Sequence, residues 1–207
     1  MNWEGKVSLQ RSAIKEKTMK KVIFLLTFLI LFPAGQYASD LEVGAIFGSR
    51  TVNDSEIKNT YGNGTFFFPY LALNLWKGLF VGAGYEGGYS KETKIGLYEE
   101  SSTLKVIGIE FFIGYELKIK VISPFIKVGY GSFSYKQTIQ SLYVKDYKVD
   151  DKKTTLTIDG GVKFYPVKNL FLAAEVKYVP LKVKPYEEEV DLGGLRYGGG
   201  IGFAFNF

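Results

Sequence analysis

The chain of 207 residues ends in Leu195-Arg-Tyr-Gly-Gly-Gly-Ile-Gly-Phe-Ala-Phe-Asn-Phe207, where bulky apolar residues alternate with small or polar ones. Successive side chains of an extended strand point to opposite faces, so this period of two predicts a β-strand with two unlike faces. One face carries Leu195, Tyr197, Ile201, Phe203, Phe205 and Phe207. The other carries Arg196, Gly198, Gly200, Gly202, Ala204 and Asn206.

The same alternation recurs in seven earlier segments, whereas no stretch with a helical period follows Ser39. The seven segments are 41–48, 67–75, 79–89, 107–116, 125–131, 156–164 and 171–178. With the last strand they make eight, and the even number suits a chain that runs up and down. The part of the chain from residue 39 onward is therefore predicted to be all-β.

The connections between these segments alternate strictly between short and long. Short breaks fall at Lys77-Gly78, 118–121 and 167–169, and long polar connections at roughly 50–64, 90–102, 136–153 and 181–194. Outer-membrane barrels have short periplasmic turns and longer external loops, and this order fits them. It predicts that both chain ends lie in the periplasm.

The polar faces of the segments decide which side of the sheet points inward. They collect the charged residues Glu42, Glu86, Glu110, Glu116, Lys127, Asp159, Lys163, Glu175, Lys177 and Arg196, interleaved with many glycines. An eight-stranded barrel has too narrow an interior for the bulky faces of all its strands. We therefore predict an eight-stranded antiparallel up-and-down transmembrane β-barrel, with an ion-paired lumen and a bulky face toward lipid.

Aromatic residues cluster near the expected strand ends, as they do in the interfacial girdles of membrane barrels. The residues predicted for these girdles are Phe66, Phe67, Phe68, Tyr70, Tyr85, Tyr89, Tyr178 and Tyr197.

Composition excludes several classes of site. The chain has no Cys and no His, so disulfides, thiolate nucleophiles, imidazole metal sites and His-containing triads are absent. The segment Gly82-Ala-Gly-Tyr-Glu-Gly87 matches the G-x-G-x-x-G motif of dinucleotide-binding sites. That motif requires a helix directly after the glycines, and no helix is predicted there, so we do not predict a dinucleotide site. We predict no catalytic residue, no metal ligand and no cofactor.

The basic character of the chain comes almost entirely from its first 38 residues. They hold six bases and two acids, which supplies +4 of the formal net charge of +5. The remainder has 20 bases and 19 acids, so nucleic acid is not an expected partner.

The beginning of the chain has the order of an export signal. Met19-Lys-Lys precedes the apolar run Val22–Phe32, and Pro33 and Ala38 follow it. We predict an N-terminal extension over 1–18, a signal peptide over 19–38 and the barrel domain over 39–207.

These features together resemble the OmpA-type eight-stranded outer-membrane β-barrel family. The stretch Gly160–Tyr178 is similar to the penultimate hairpin of such barrels, and the final strand ends in Phe. The resemblance implies that Tyr197, Ile201, Phe203, Phe205 and Phe207 form the signal read by the barrel-assembly machinery. Full OmpA carries a peptidoglycan-binding domain after the barrel, and no such domain is expected here.

The leading functional interpretation is a non-enzymatic outer-membrane barrel with a plugged lumen, acting structurally or through its external loops. Family members that are enzymes typically use His, which this chain lacks. The alternatives are a narrow pore for ions or small apolar molecules, and a secreted soluble barrel that binds lipid, which would need an apolar lumen. A continuous line of glycines in the lumen would favour the pore. Layers of paired Glu and Lys across the lumen would favour the plug.

The expected partners are outer-membrane lipid, lipopolysaccharide, the assembly machinery and an unknown extracellular ligand. Lys145, Lys148, Lys152 and Lys153 are candidates for contact with lipopolysaccharide phosphates. Acidic loop residues at 146, 150–151, 187–189 and 191 are candidates for cations, although solvated loop charge is the preferred explanation.

Overall fold

The computed structural model describes residues 40–140, 147–184 and 189–206. The predicted extension, the predicted signal peptide and Phe207 lie outside the described residues. No helix in the described part of the chain is long and apolar enough to cross a membrane.

Eight long strands form a closed antiparallel barrel, which confirms the predicted fold class. In chain order the elements are β1 (Asp40–Arg50), α1 (Ser55–Tyr61), β2 (Gly64–Trp76), β3 (Leu79–Ile95), β4 (Glu100–Glu116), β5 (Ile122–Gln140), β6 (Tyr147–Val167), β7 (Leu170–Val179), β8 (Lys182–Val183), β9 (Val190–Asp191) and β10 (Gly194–Asn206). The barrel follows chain order, and β1 pairs with β10 from Asp40↔Asn206 to Arg50↔Arg196. This closure removes the two edges that an open eight-stranded sheet would have.

The alternation of the sequence reappears as an alternation of burial. Bulky side chains point outward on every barrel strand, for example Phe111 (65% exposed) and Leu156 (60% exposed). A water-soluble lipid-binding barrel needs the opposite arrangement, so the outward apolar band contradicts that alternative.

The lumen differs from the prediction because it also holds large aromatic rings. Phe66, Phe68 and Tyr70, predicted for a girdle, are buried inside the barrel. The girdle prediction failed for them because their even positions share the inward face of β2 with Ala72 and Asn74. Phe67, between them in sequence, does face outward and stacks on Phe47 with ring centroids 4.6 Å apart. Tyr85, Tyr178 and Tyr197 are likewise exposed.

A β-bulge in β3 overturns the outward placement predicted for Tyr89. The register between β3 and β4 shifts between Glu86 and Tyr89, and Gly88 has a φ of +93°. An extra residue in one strand inverts the alternation beyond it. Tyr89 is consequently buried, with only 1% exposure.

The predicted long connections are largely ordered elements. β3 continues to Ile95 and β4 begins at Glu100, while β5 and β6 pair as far out as Ile139↔Tyr147. The first connection contains α1, capped by Asp54, whose side chain accepts hydrogen bonds from the backbone N–H groups of Glu56 and Ile57. The sequence predicts loops here because these segments are polar on both faces, yet strand pairing satisfies their backbone groups even outside the apolar band.

Candidate functional site in the barrel lumen

The barrel has two unlike ends. The turn end holds the short connections at 77–78, 117–121 and 168–169, together with Asp40 and Asn206. The loop end holds α1, β8, β9 and the outer parts of the β3–β4 and β5–β6 hairpins.

Among the described residues, the lumen between these ends contains eleven buried charged side chains. Ten of them are the residues selected from sequence alternation, and the structure places all ten inside. The eleventh, Arg50, falls in a predicted loop, because the predicted first segment ends at Gly48. It keeps the parity of Glu42, which is the signal that would have located it. The set comprises six acids and five bases.

A layer near the turn end is centred on Lys163. Its Nζ lies 2.6 Å from Glu42 Oε2 and 2.5 Å from Glu116 Oε2, so one ammonium bridges β1, β4 and β6. Asn74 donates to Glu42 Oε1 at 2.9 Å, and the Tyr165 hydroxyl donates to Glu116 Oε1 at 3.2 Å. The pairing offsets much of the cost of keeping these charges away from water.

A middle layer joins Lys127 to Glu175 at 2.9 Å. The Lys127 ammonium also faces aromatic rings, lying 5.0 Å from the centroid of Phe112 and 5.3 Å from that of Phe68. Cation–π attraction adds to the ion pair in such a dry setting. Asp159 is 1% exposed, and neither carboxylate oxygen has a hydrogen-bond partner among the described residues.

A third layer near the loop end is centred on Glu86. Its carboxylate accepts a 2.6 Å hydrogen bond from Arg196 Nε and lies 3.6 Å from Lys177 Nζ and 4.0 Å from Arg50. Lys177 also pairs with Glu110 at 2.6 Å. Arg50 donates to the Leu192 carbonyl at 2.9 Å, which ties this layer to the last loop.

Glycines on the inner wall are covered by aromatic rings. A Cβ added at Gly84 would lie 2.4 Å from Phe68, one at Gly82 2.4 Å from Phe112, and one at Gly202 2.3 Å from Phe171. Such distances are well inside van der Waals contact, so only glycine lets these rings lie flat against the wall. At these positions the inward glycines accommodate rings and do not line an open path.

A buried apolar cluster lies at the loop end, beyond the charged layers. The cluster consists of Val52, Tyr61, Tyr89, Leu104, Val106, Phe133, Tyr135, Val149, Val179, Leu181, Val183 and Leu192. The Tyr61 hydroxyl of α1 and the Ser102 hydroxyl are 2.6 Å apart, and Gln137 donates to Tyr61 at 2.7 Å. The helix is thereby fixed over the barrel mouth.

The remaining predicted residues lie on the outer surface. Tyr197, Ile201, Phe203 and Phe205 of the assembly signal are exposed. Lys148, Lys152 and Lys153 are exposed on β6, and Lys145 lies outside the described residues. Lys182 pairs with Glu189 at 2.8 Å, and this hydrogen bond raises the pKa of Lys182 and lowers the pKa of Glu189. Among the described residues no three acidic side chains are grouped to hold a metal ion.

Comparisons with known proteins agree with this geometry. The model of the family described as outer membrane protein β-barrel domain matches residues 24–207. No curated protein matches the chain. One similar solved structure is that of Ail, the attachment invasion locus protein of Yersinia pestis, in complex with the heparin analogue sucrose octasulfate. Its sequence is 14% identical to this chain and the TM-score is 0.58. The match covers 82% of this chain and 100% of the Ail chain. OprG of Pseudomonas aeruginosa is 12% identical with a TM-score of 0.55, covering 82% and 97%. Neisserial surface protein A is 14% identical with a TM-score of 0.52, covering 81% and 96%.

Proposed function

The chain belongs to the outer membrane protein β-barrel domain family, and from this premise we propose that it is a non-enzymatic barrel whose lumen is closed by its own side chains. The observation that carries the proposal is Lys163, held between Glu42 and Glu116 across the interior. Removing one partner of a buried ion pair costs about 3–5 kcal/mol because the other charge is left buried and unpaired, so the two carboxylates are expected to hold Lys163 in place. The absence of His and Cys agrees with a non-enzymatic role.

The orientation follows from the two unlike ends of the barrel. Short turns of outer-membrane barrels lie in the periplasm and longer connections outside. We therefore assign the turn end, with Asp40 and Asn206, to the periplasm and the loop end to the cell exterior.

Conductance across planar bilayers tests the closed lumen. The protein is expected to give no steady current, while Lys163→Ala, which leaves Glu42 and Glu116 unpaired, is expected to increase brief open events. Lys152→Ala, at an exposed lysine on β6, serves as the matched control and should behave as the parent does. Steady single-channel conductance of the unaltered protein would contradict a plug and favour the narrow pore.

A surface role is supported by unpaired lysines on the external hairpins. Lys105 and Lys136 lie directly opposite each other in the β4–β5 register, and Lys152 lies opposite Ser134 on the next strand. Like charges in directly opposite positions repel. Lys136 also lies opposite Asp150 in the β5–β6 register, but none of the three lysines forms an ion pair with a described residue. The similar barrel Ail was solved with a sulfated ligand, and we assign lipopolysaccharide phosphates to this lysine cluster.

Binding of purified lipopolysaccharide to the detergent-solubilised barrel tests this assignment. Lys105→Gln with Lys136→Gln is expected to weaken binding several-fold, while Lys182→Gln, at a lysine already paired with Glu189, should leave it unchanged. Equal binding by the double variant and the parent protein would remove the assignment.

A further inference from the structure

A pocket of about 380 Å³ lies at the turn end of the barrel, outside the ion-paired layers. It lies between the β4–β5 turn and the β6–β7 turn, and we call it the turn-end pocket. Its polar lining comes mainly from Asp40, Lys118, Lys120, Tyr165 and Lys168. Its volume falls in the range of small-molecule sites, roughly 300–1,000 Å³.

The charge of the turn-end pocket is not balanced by its own residues. Lys118 pairs with Asp40 at 2.7 Å. Burial lowers the pKa of Lys118, but the hydrogen bond and the charge of Asp40 outweigh it and raise that pKa overall. Lys120 and Lys168 form no ion pair with any residue in the ranges that the structure describes. Two ammonium groups therefore remain available to an anion.

Backbone hydrogen bonds hold both turns in place. Ile119 and Ile122 exchange N–H to carbonyl bonds of 2.9 and 3.0 Å, and Tyr165 N–H donates to the Val121 carbonyl at 2.8 Å. The Ala204 N–H donates to the Asn169 carbonyl at 2.8 Å. The lysines are thus carried on backbone with a fixed position, which lowers the entropic cost of binding a ligand between them.

The same turns present apolar side chains to the outside. Val121 and Val167 line the pocket and are 51% and 59% exposed. Next to them, the cross-strand pair Ile122↔Phe164 belongs to the exposed apolar band of the barrel. A ligand with an anionic group beside hydrocarbon chains matches this pairing of free ammonium groups and exposed apolar surface.

We propose that the turn-end pocket binds the phosphate of a membrane glycerophospholipid, held by Lys120 and Lys168, with its acyl chains on the adjacent outer face. This inference goes beyond the closed lumen, since it needs only that the barrel spans the membrane. Ammonium–phosphate hydrogen bonds are charge-assisted and strengthen where water is partly excluded.

The proposal is tested by counting phospholipids retained on the full-length protein. The barrel is reconstituted in vesicles of phosphatidylethanolamine and phosphatidylglycerol, extracted in mild detergent and weighed by native mass spectrometry. Lys120→Gln with Lys168→Gln is expected to reduce retained lipid about tenfold, as the loss of charge-assisted hydrogen bonds implies. Lys94→Gln with Lys182→Gln, at two exposed lysines of the opposite end that are already paired with Glu99 and Glu189, should retain as much lipid as the parent protein.

Two further measurements separate lipid from a soluble phosphate. Val121→Ser with Val167→Ser should reduce lipid retention but leave binding of glycerol 3-phosphate, followed by NMR, unchanged. If glycerol 3-phosphate binds as tightly as the lipid, the pocket is a soluble-anion site and the lipid assignment is wrong. Unchanged lipid retention in the lysine double variant overturns the proposal. If the double variant does not fold, the single variants Lys120→Gln and Lys168→Gln are measured in its place.

Discussion

At the residue scale, glycine and aromatic side chains are complementary on the inner wall. Gly84, Gly82 and Gly202 each leave the space that an inward Phe ring occupies. The sequence showed the glycines at alternate positions, but it did not show which ring covers which glycine. Those pairs depend on the register between neighbouring strands, for example Tyr70↔Gly84 between β2 and β3.

Substitution of Gly84 by Ala tests this complementarity. The new Cβ would lie 2.4 Å from Phe68, so the ring must move, and we expect a loss of about 1–3 kcal/mol in unfolding free energy. Urea unfolding in lipid vesicles measures the loss. Gly199→Ala is the matched control, because its Cβ would meet only the Ala173 carbonyl oxygen at 3.5 Å. Equal losses in both variants would show that ring packing is not the cause.

At the element scale, the bulge in β3 decides which residues enter the lumen near the loop end. Tyr89 turns inward after Gly88, so the Arg50 guanidinium lies 4.5 Å from its ring centroid. The Tyr89 hydroxyl then reaches the Gly62 carbonyl at 3.2 Å, just beyond α1. Strict alternation could not predict the inward position of Tyr89. A period-two pattern does not reveal where a strand has an extra residue, because the bulge shows only in the pairing with the neighbouring strand.

Gly88→Ala should weaken this element. The φ of +93° at Gly88 is one that residues with a Cβ rarely adopt, and we expect a cost of about 1–3 kcal/mol. Faster loss of the heat-modifiable band on gels, as temperature rises in detergent, would report the cost. Ser90→Ala, at an exposed position of the same strand, should leave the transition unchanged. A bulge that tolerated Ala without loss would mean that Gly88 is not strained in the folded barrel.

At the scale of the whole molecule, the up-and-down barrel brings the described chain connections to one of two ends. Leu97, at the tip of the β3–β4 hairpin, is 98% exposed at the loop end, and Asn169 is exposed at the turn end. Because the chain contains no Cys, a single introduced Cys is the only thiol that a maleimide can label, so labelling shows where that residue lies.

Labelling with a membrane-impermeant maleimide tests the proposed orientation. Leu97→Cys should react on intact cells, whereas Asn169→Cys should react only after the outer membrane is permeabilised. Both variants should keep the heat-dependent gel shift of a folded barrel, which controls for misfolding. Labelling of Asn169→Cys on intact cells, with Leu97→Cys protected, would reverse the orientation.

The sequence alone determined the number of barrel strands, the closed antiparallel class and ten of the eleven buried charged residues of the described lumen, because a period of two assigns each side chain to a face without knowledge of its neighbours. Only the tertiary structure decided which charges pair. Lys163 meets Glu42 across 121 positions of sequence, and Lys127 meets Glu175 across 48. Such pairs depend on strand register and on the width of the lumen, which exist only once the barrel has closed. The turn-end pocket has the same origin, because its lining joins Asp40 of β1 and Ala204 of β10 to two turns that the pairing of β5 with β6 brings together.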